Sequence, residues 1–169
     1  IEAKGSSPIE PELAAIAALA DKVALARLLG GQLRADVDPL NMTDFHTSRL
    51  FGLWVSPDFD NPAKNVAYLL QGGLGMPDRD YYLRKDEKFD ATRAAYVTYV
   101  TTMLTLAKQP DPAGAAARIL ALETAIAEKH WDRARTRDRD ATYNKMTVAA
   151  PGALMPSFNW PAYLRAAGL

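Results

Sequence analysis

Apolar residues in the first part of the chain recur at helical spacing. After Pro11, the run "ELAAIAALADKVALARLLGG" aligns Leu13, Ile16, Ala17 and Ala20, then Val23, Ala26 and the Leu28–Leu29 pair. Positions three and four apart share one face of an α-helix, so the pattern predicts a single helix beginning near Pro11. Proline suits that first turn because its missing N–H has no helical partner to lose. Gly30 and Gly31 end or bend the run, with "QLRADV" a candidate continuation before Asp38–Pro39 stops it.

The pattern then changes. "RLFGLWVS" (Arg49–Ser56) and "NVAYLLQ" (Asn65–Gln71) are short runs of bulky apolar residues around a segment rich in Asp, Asn and Pro. This predicts a β-hairpin with a long loop. The second strand leads into "GGLGMPDRDYY" (Gly72–Tyr82), which bends on glycine and proline and sets Asp78, Arg79 and Asp80 against Tyr81 and Tyr82.

Helical spacing returns at Asp90, a candidate N-cap, with Tyr96, Val100, Met103, Leu104 and Ala107 on one stripe. A second helix opens at Asp111–Pro112 with the stripe Ala115, Ile119, Leu122 and Ile126. "RTRDRDATYNKM" breaks the pattern. Thr147 is a candidate cap for a short turn ended by Pro151–Gly152, and Asn159 caps a last helix closed by Gly168. The expected fold class is mostly α, a helical domain with one small β-hairpin.

At 169 residues the chain has room for one domain with a real core, and a second complete domain is not expected. Lys+Arg and Asp+Glu balance at 20 each, which argues against nucleic acid as a partner, since that needs a basic excess on one face. Without cysteine the chain can form neither a disulfide nor a thiolate zinc site. It begins at Ile1 and stops where its last helix would end, so both ends are read as cut from a longer, processed chain.

Catalytic patterns are sparse. The two histidines, His46 and His130, are far apart, and neither starts a His-Glu-x-x-His. His130, near Glu123, Glu128 and Asp132, is read as a helical histidine paired with carboxylates rather than a metal ligand. No Gly-x-Ser-x-Gly elbow is present, and "GGLG" lacks the spacing of a dinucleotide loop. The carboxylate pairs Asp58/Asp60, Asp78/Asp80 and Asp138/Asp140 lie in turns or are interleaved with arginine, which favours ion pairing over proton transfer. "HWDRARTRDRD" reads as an interdomain salt-bridge segment or a solvated surface.

"QGGLGMPDRDYYL" resembles a segment of the neprilysin-type zinc metallopeptidases, with Met76 for the usual leucine. Further similarities follow in that family's order. They are the strand–loop–strand before it, Leu122-Glu123…Ile126-Ala127, Arg137-Asp138…Tyr143-Asn144-Lys145-Met146-Thr147, and "SFNWPAYL". Together they cover about residues 45–165. Alanine richness and the missing cysteines resemble the bacterial members.

The resemblance implies that residues 1–169 are part of an N-terminal helical lid domain, with the zinc-binding catalytic domain absent from this chain. It implies zinc in the full-length parent and none here, short peptide substrates, and the parent's own C-terminal catalytic domain as partner. An extracytoplasmic location is implied too. The isolated fragment is expected to self-associate through the face it would otherwise cover. No catalytic or metal role transfers. Asp78, Arg79, Asp80, Tyr81, Tyr82, Arg137, Asp138, Tyr143 and Asn144 are expected to form structural or interdomain polar joints. The rival readings are a stand-alone helical binding module and, more remotely, a carboxylate enzyme using Asp78 and Asp80.

Overall fold

The computed structural model describes residues 5–33, 47 and 49–169; the expected continuation over 34–39 and His46 lie outside them. The fold is mostly α, with a single two-stranded antiparallel hairpin among the described residues. Two compact units emerge, one joining the residues up to Ala18 to Leu74–His130, the other joining Leu19–Gly73 to Trp131–Leu169. The length suggested one core; each unit instead has its own apolar cluster.

In the first unit, α1 (Glu10–Ala17) buries none of its residues. The single helix expected across this region is in fact two. Asp21 adopts an extended backbone and its Oδ1 accepts the Ala24 N–H at 2.7 Å, so it starts α2 (Lys22–Gly31), which belongs to the second unit. The short α3 (Asp80–Leu83) precedes α4 (Glu87–Leu106) and α5 (Pro112–Lys129). Asp90 is not the N-cap of α4. That role falls to Asp86, whose carboxylate accepts the Phe89 N–H at 3.1 Å, while Asp90 sits in the first turn and pairs with Arg93.

Asp111 caps α5 as expected, accepting the Gly114 N–H at 3.1 Å, with Pro112 in the first turn. The buried side of α5 differs from the expected stripe. Ala116 and Ala127 are the fully enclosed positions; Ile126 of the expected stripe packs with Leu120 against the cluster that holds Ala127, whereas Leu122 is 63% exposed. At that face the Ala127 carbonyl accepts from the Arg79 side chain, Nε at 3.4 Å.

In the second unit, β1 (Phe51–Pro57) pairs antiparallel with β2 (Asn65–Gln71), from Phe51 opposite Gln71 to Pro57 opposite Asn65. Trp54 stacks on its cross-strand partner Tyr68, centroids 5.0 Å apart. The charged run that breaks the apolar pattern makes two one-turn helices, α6 (Arg133–Thr136) and α7 (Arg139–Thr142), begun by the carboxylates of Asp132 and Asp138. Pro151 and Gly152 do not end a turn; they lie inside α8 (Ala150–Leu154), where proline is tolerated in the first turn. In α9 (Trp160–Ala166) Asn159 is the cap, and Gly168, with φ +85°, follows the end.

The core of this unit joins Trp160, Tyr163 and Leu164 of α9 to Ala26 of α2, with Phe51 and Phe158 against them. Gly30 permits the approach: a Cβ there would lie 2.1 Å from the Tyr163 carbonyl oxygen.

Candidate functional site

In the first unit the loop after β2 folds onto α5 around one carboxylate. Tyr82, buried at 5% exposure, accepts the Met76 N–H at 2.9 Å and donates its own proton to Glu123 Oε2 at 2.9 Å. The Tyr96 hydroxyl of α4 donates to Glu123 Oε1 at 3.0 Å. One carboxylate therefore ties the loop, α4 and α5 together. Burial, reinforced by the adjacent Glu123 charge, pushes both phenols up, Tyr96 to about 12 and Tyr82 further. Gly75 is part of the design, since a Cβ there would meet Tyr96 Oη at 2.1 Å.

Around this centre, Asp78 Oδ1 accepts the Asp80 N–H at 2.9 Å, which starts α3. The Tyr81 carbonyl accepts from Arg93 Nη1 at 2.7 Å, and its ring meets Phe89 edge-on. The structure thus gathers Asp78, Arg79, Asp80, Tyr81 and Tyr82 into one loop-and-helix joint.

The second unit has its own carboxylate centre. Asp58, at 2% exposure, accepts from the Tyr143 hydroxyl on one oxygen and the Lys145 ammonium on the other. The Lys145 hydrogen bond, then that of Tyr143, holds the Asp58 carboxyl down at about 2. The same contacts raise Lys145 and push Tyr143 to about 12. Phe59 is tilted against Tyr143, with the Arg139 guanidinium 4.3 Å from its ring centroid. Close by in sequence, the Gln71 side chain grips both backbone groups of Trp131, accepting the N–H at 2.9 Å and donating to the carbonyl at 3.1 Å.

Of Arg137, Asp138, Tyr143 and Asn144, expected to form structural or interdomain polar joints, the described residues bring only Tyr143 into a contact with a distant residue. Arg137, Asp138 and Asn144 are exposed. Asp138 caps α7, and the Asn144 amide donates to the Ala141 carbonyl at 2.8 Å, both local tasks. Only Tyr143 reaches across the chain, to Asp58. Sequence reasoning did not select Glu123, Tyr96, Asp58, Lys145, Gln71 or Trp131 as site residues. The available signal was Glu123 itself, an acid set between the apolar pairs Ala121–Leu122 and Ala125–Ile126 of α5.

Chemically, both centres are hydrogen-bonded joints. Each carboxylate has a donor on both oxygens, and at Asp58 those donors hold the carboxyl in its charged form. Among the described residues no three His, Asp or Glu side chains converge as a metal site, and the sequence holds no His-Glu-x-x-His.

The model of peptidase family M13 matches residues 1–169. Endothelin-converting enzyme 1 of Cavia porcellus is 35% identical over 123 residues, which are 71% of this chain and 16% of that protein. The Mycobacterium tuberculosis zinc metalloprotease Zmp1, solved in complex with inhibitor, aligns with a TM-score of 0.84 at 33% identity, covering 99% of this chain and 24% of that one. The same protease in its open state aligns with a TM-score of 0.82 at 32% identity, over 98% of this chain and 24% of that one. The chain thus spans between 16% and 24% of the length of these relatives.

Proposed function

The chain belongs to peptidase family M13, and from that premise we propose that it is a non-catalytic part of a zinc-dependent metalloendopeptidase. In this reading it helps enclose short peptide substrates, its partner is the catalytic portion of the same polypeptide, and the parent works outside the cytoplasm. The observation that carries the reading is the alignment of 99% of this chain with 24% of a zinc metalloprotease chain. The spent carboxylates agree with it. Glu123 and Asp58 hold the fold together, and no step of peptide hydrolysis is assigned to any residue here.

Peptidase assays of the full-length parent and of the 169-residue chain, each with and without zinc, test this. Zinc-dependent cleavage of short peptides by the parent alone, with folded proteins left uncut, is the expected result. Turnover by the 169-residue chain overturns the reading.

A further inference from the structure

The two edges of the hairpin differ. Just past the strands, the Asp58 N–H donates to the Lys64 carbonyl at 2.8 Å, continuing the register that sets Pro57 opposite Asn65. In an antiparallel ladder, pairs that exchange hydrogen bonds alternate with pairs that do not. Ser56/Val66, Trp54/Tyr68 and Gly52/Leu70 therefore bond inward. Leu53, Val55 and Pro57 on β1, and Asn65, Ala67 and Leu69 on β2, aim their backbone groups away from the hairpin.

The β1 edge is closed to a further strand. Pro57 has no N–H, its carbonyl accepts the Tyr68 hydroxyl at 2.9 Å, and Leu53 is buried. The β2 edge has no such guard. It contains neither proline nor glycine, no charge occurs from Asn65 to Pro77, and Asn65, Ala67 and Leu69 are exposed. Among the described residues none pairs with the outward groups of Ala67 and Leu69. Lysine, proline or a bulge ordinarily protects such an edge, because its unpaired N–H and C=O groups are a template for another strand.

We infer that the outer edge of β2 pairs antiparallel with the same edge of a second copy of this chain, about a twofold axis at Tyr68. The strand is complementary to itself in that register. Ala67 opposes the partner's Leu69, Val66 the partner's Leu70, Tyr68 the partner's Tyr68, and Asn65 the partner's Gln71. Apolar residues meet apolar ones, two rings meet on the axis, the amides meet at the ends, and no like charges face each other. Ala67 and Leu69 are also the residues whose backbone groups point outward, so this register joins donors to acceptors. Because the β1 edge is closed, pairing stops when two two-stranded sheets have joined, and the assembly is a closed dimer rather than a fibre.

Amide hydrogen exchange of the 169-residue chain, followed residue by residue at rising protein concentration, tests the inference. The Ala67 and Leu69 amides are expected to slow at least about tenfold as concentration rises, while those of Val66 and Tyr68, bonded inward, stay slow throughout. Ala67→Pro removes one outward donor and no hydrogen bond to β1, so it is expected to abolish the slowing at Leu69. Val55→Pro, the same change on the β1 edge, is expected to preserve it. In both variants slow exchange at Val66 and Tyr68 reports an intact hairpin, and Ala67→Glu, which sets two carboxylates beside the axis, repeats the test without proline. Fast exchange at Ala67 and Leu69 at every concentration overturns the inference. So does slowing that ignores concentration, which places their partner within the chain, or slowing at Leu69 that survives Ala67→Pro and Ala67→Glu. Slowing that appears only with added blocked pentaalanine overturns it as well and makes the edge a peptide site.

Discussion

The Tyr82 hydroxyl donates to Glu123 Oε2 at 2.9 Å while accepting the Met76 N–H, so one phenol links a loop amide to the carboxylate of a helix 41 residues away. Tyr96 holds the other carboxylate oxygen. Removing the shared acceptor leaves both hydroxyls unsatisfied in a largely buried place. Glu123→Ala is expected to lower stability by roughly 3 kcal/mol, as two unmade hydrogen bonds imply. Urea unfolding checks it, and Glu123→Gln, which keeps one acceptor, is expected to fall between Ala and the unmodified chain.

Glycine substitutions separate close contacts from open space. A Cβ at Gly30 meets the Tyr163 backbone oxygen at 2.1 Å, whereas one at Gly31 meets nothing within 4 Å. Gly30→Ala is expected to cost about 1–3 kcal/mol or more, because α2 must move off α9. Gly31→Ala is expected to stabilise by up to about 1 kcal/mol through helix propensity. Thermal melts of the two variants give opposite signs if the helix contact is as described.

Asp58 sets an acid limit. Its carboxyl is held at about 2, below the ordinary 3.8, so the stability it contributes is complete above 3.8 and is lost as pH falls through about 2. Lys145, raised from its ordinary value, contributes stability that is complete below 10.5 and is lost as pH rises through its folded value. Asp58→Asn is expected to flatten the acid limb of the stability–pH curve, measured by urea midpoints from pH 5 down to pH 2.

The alkaline side belongs to the tyrosines. Tyr96, Tyr143 and Tyr163 are pushed to about 12 and Tyr82 is also raised, chiefly by burial except at Tyr143, where the Asp58 hydrogen bond dominates. Raised phenols give stability that is complete below their unfolded value of 10.0 and is lost as pH climbs from there towards 12. Phenolate absorbance is expected to show a late-titrating group among the seven tyrosines, which merges with the early one once the chain unfolds.

Pairing between the β2 edges of two copies makes the 169-residue chain associate with concentration. Sedimentation velocity is expected to show a shift from monomer to dimer with concentration, reduced by Ala67→Pro. A monomer at all concentrations would count against it.

Helical content, the hairpin strands and the caps at Asp111 and Asn159 were legible because they depend on neighbours in sequence. Apolar period, proline position and a side-chain oxygen three residues before a free N–H are local properties of the chain. Even so, Asp21 starts a second helix inside what reads as one, and Asp86 rather than Asp90 starts α4, where the two acids stand four residues apart.

What the sequence determined by itself was therefore the mostly α class with its one hairpin, and through ordered motifs the family. Tertiary structure alone decided which polar residues matter. Arg137 and Asp138 look like a buried pair in sequence and are exposed, while Asp58 and Lys145, 87 residues apart, meet. A side chain's burial depends on what the distant chain brings over it, and no local pattern encodes that partner. The same holds for the turn of α5 that encloses Ala127 and half-buries Glu123 while Leu122 stays exposed, where the Arg79 side chain and two phenols arrive from elsewhere.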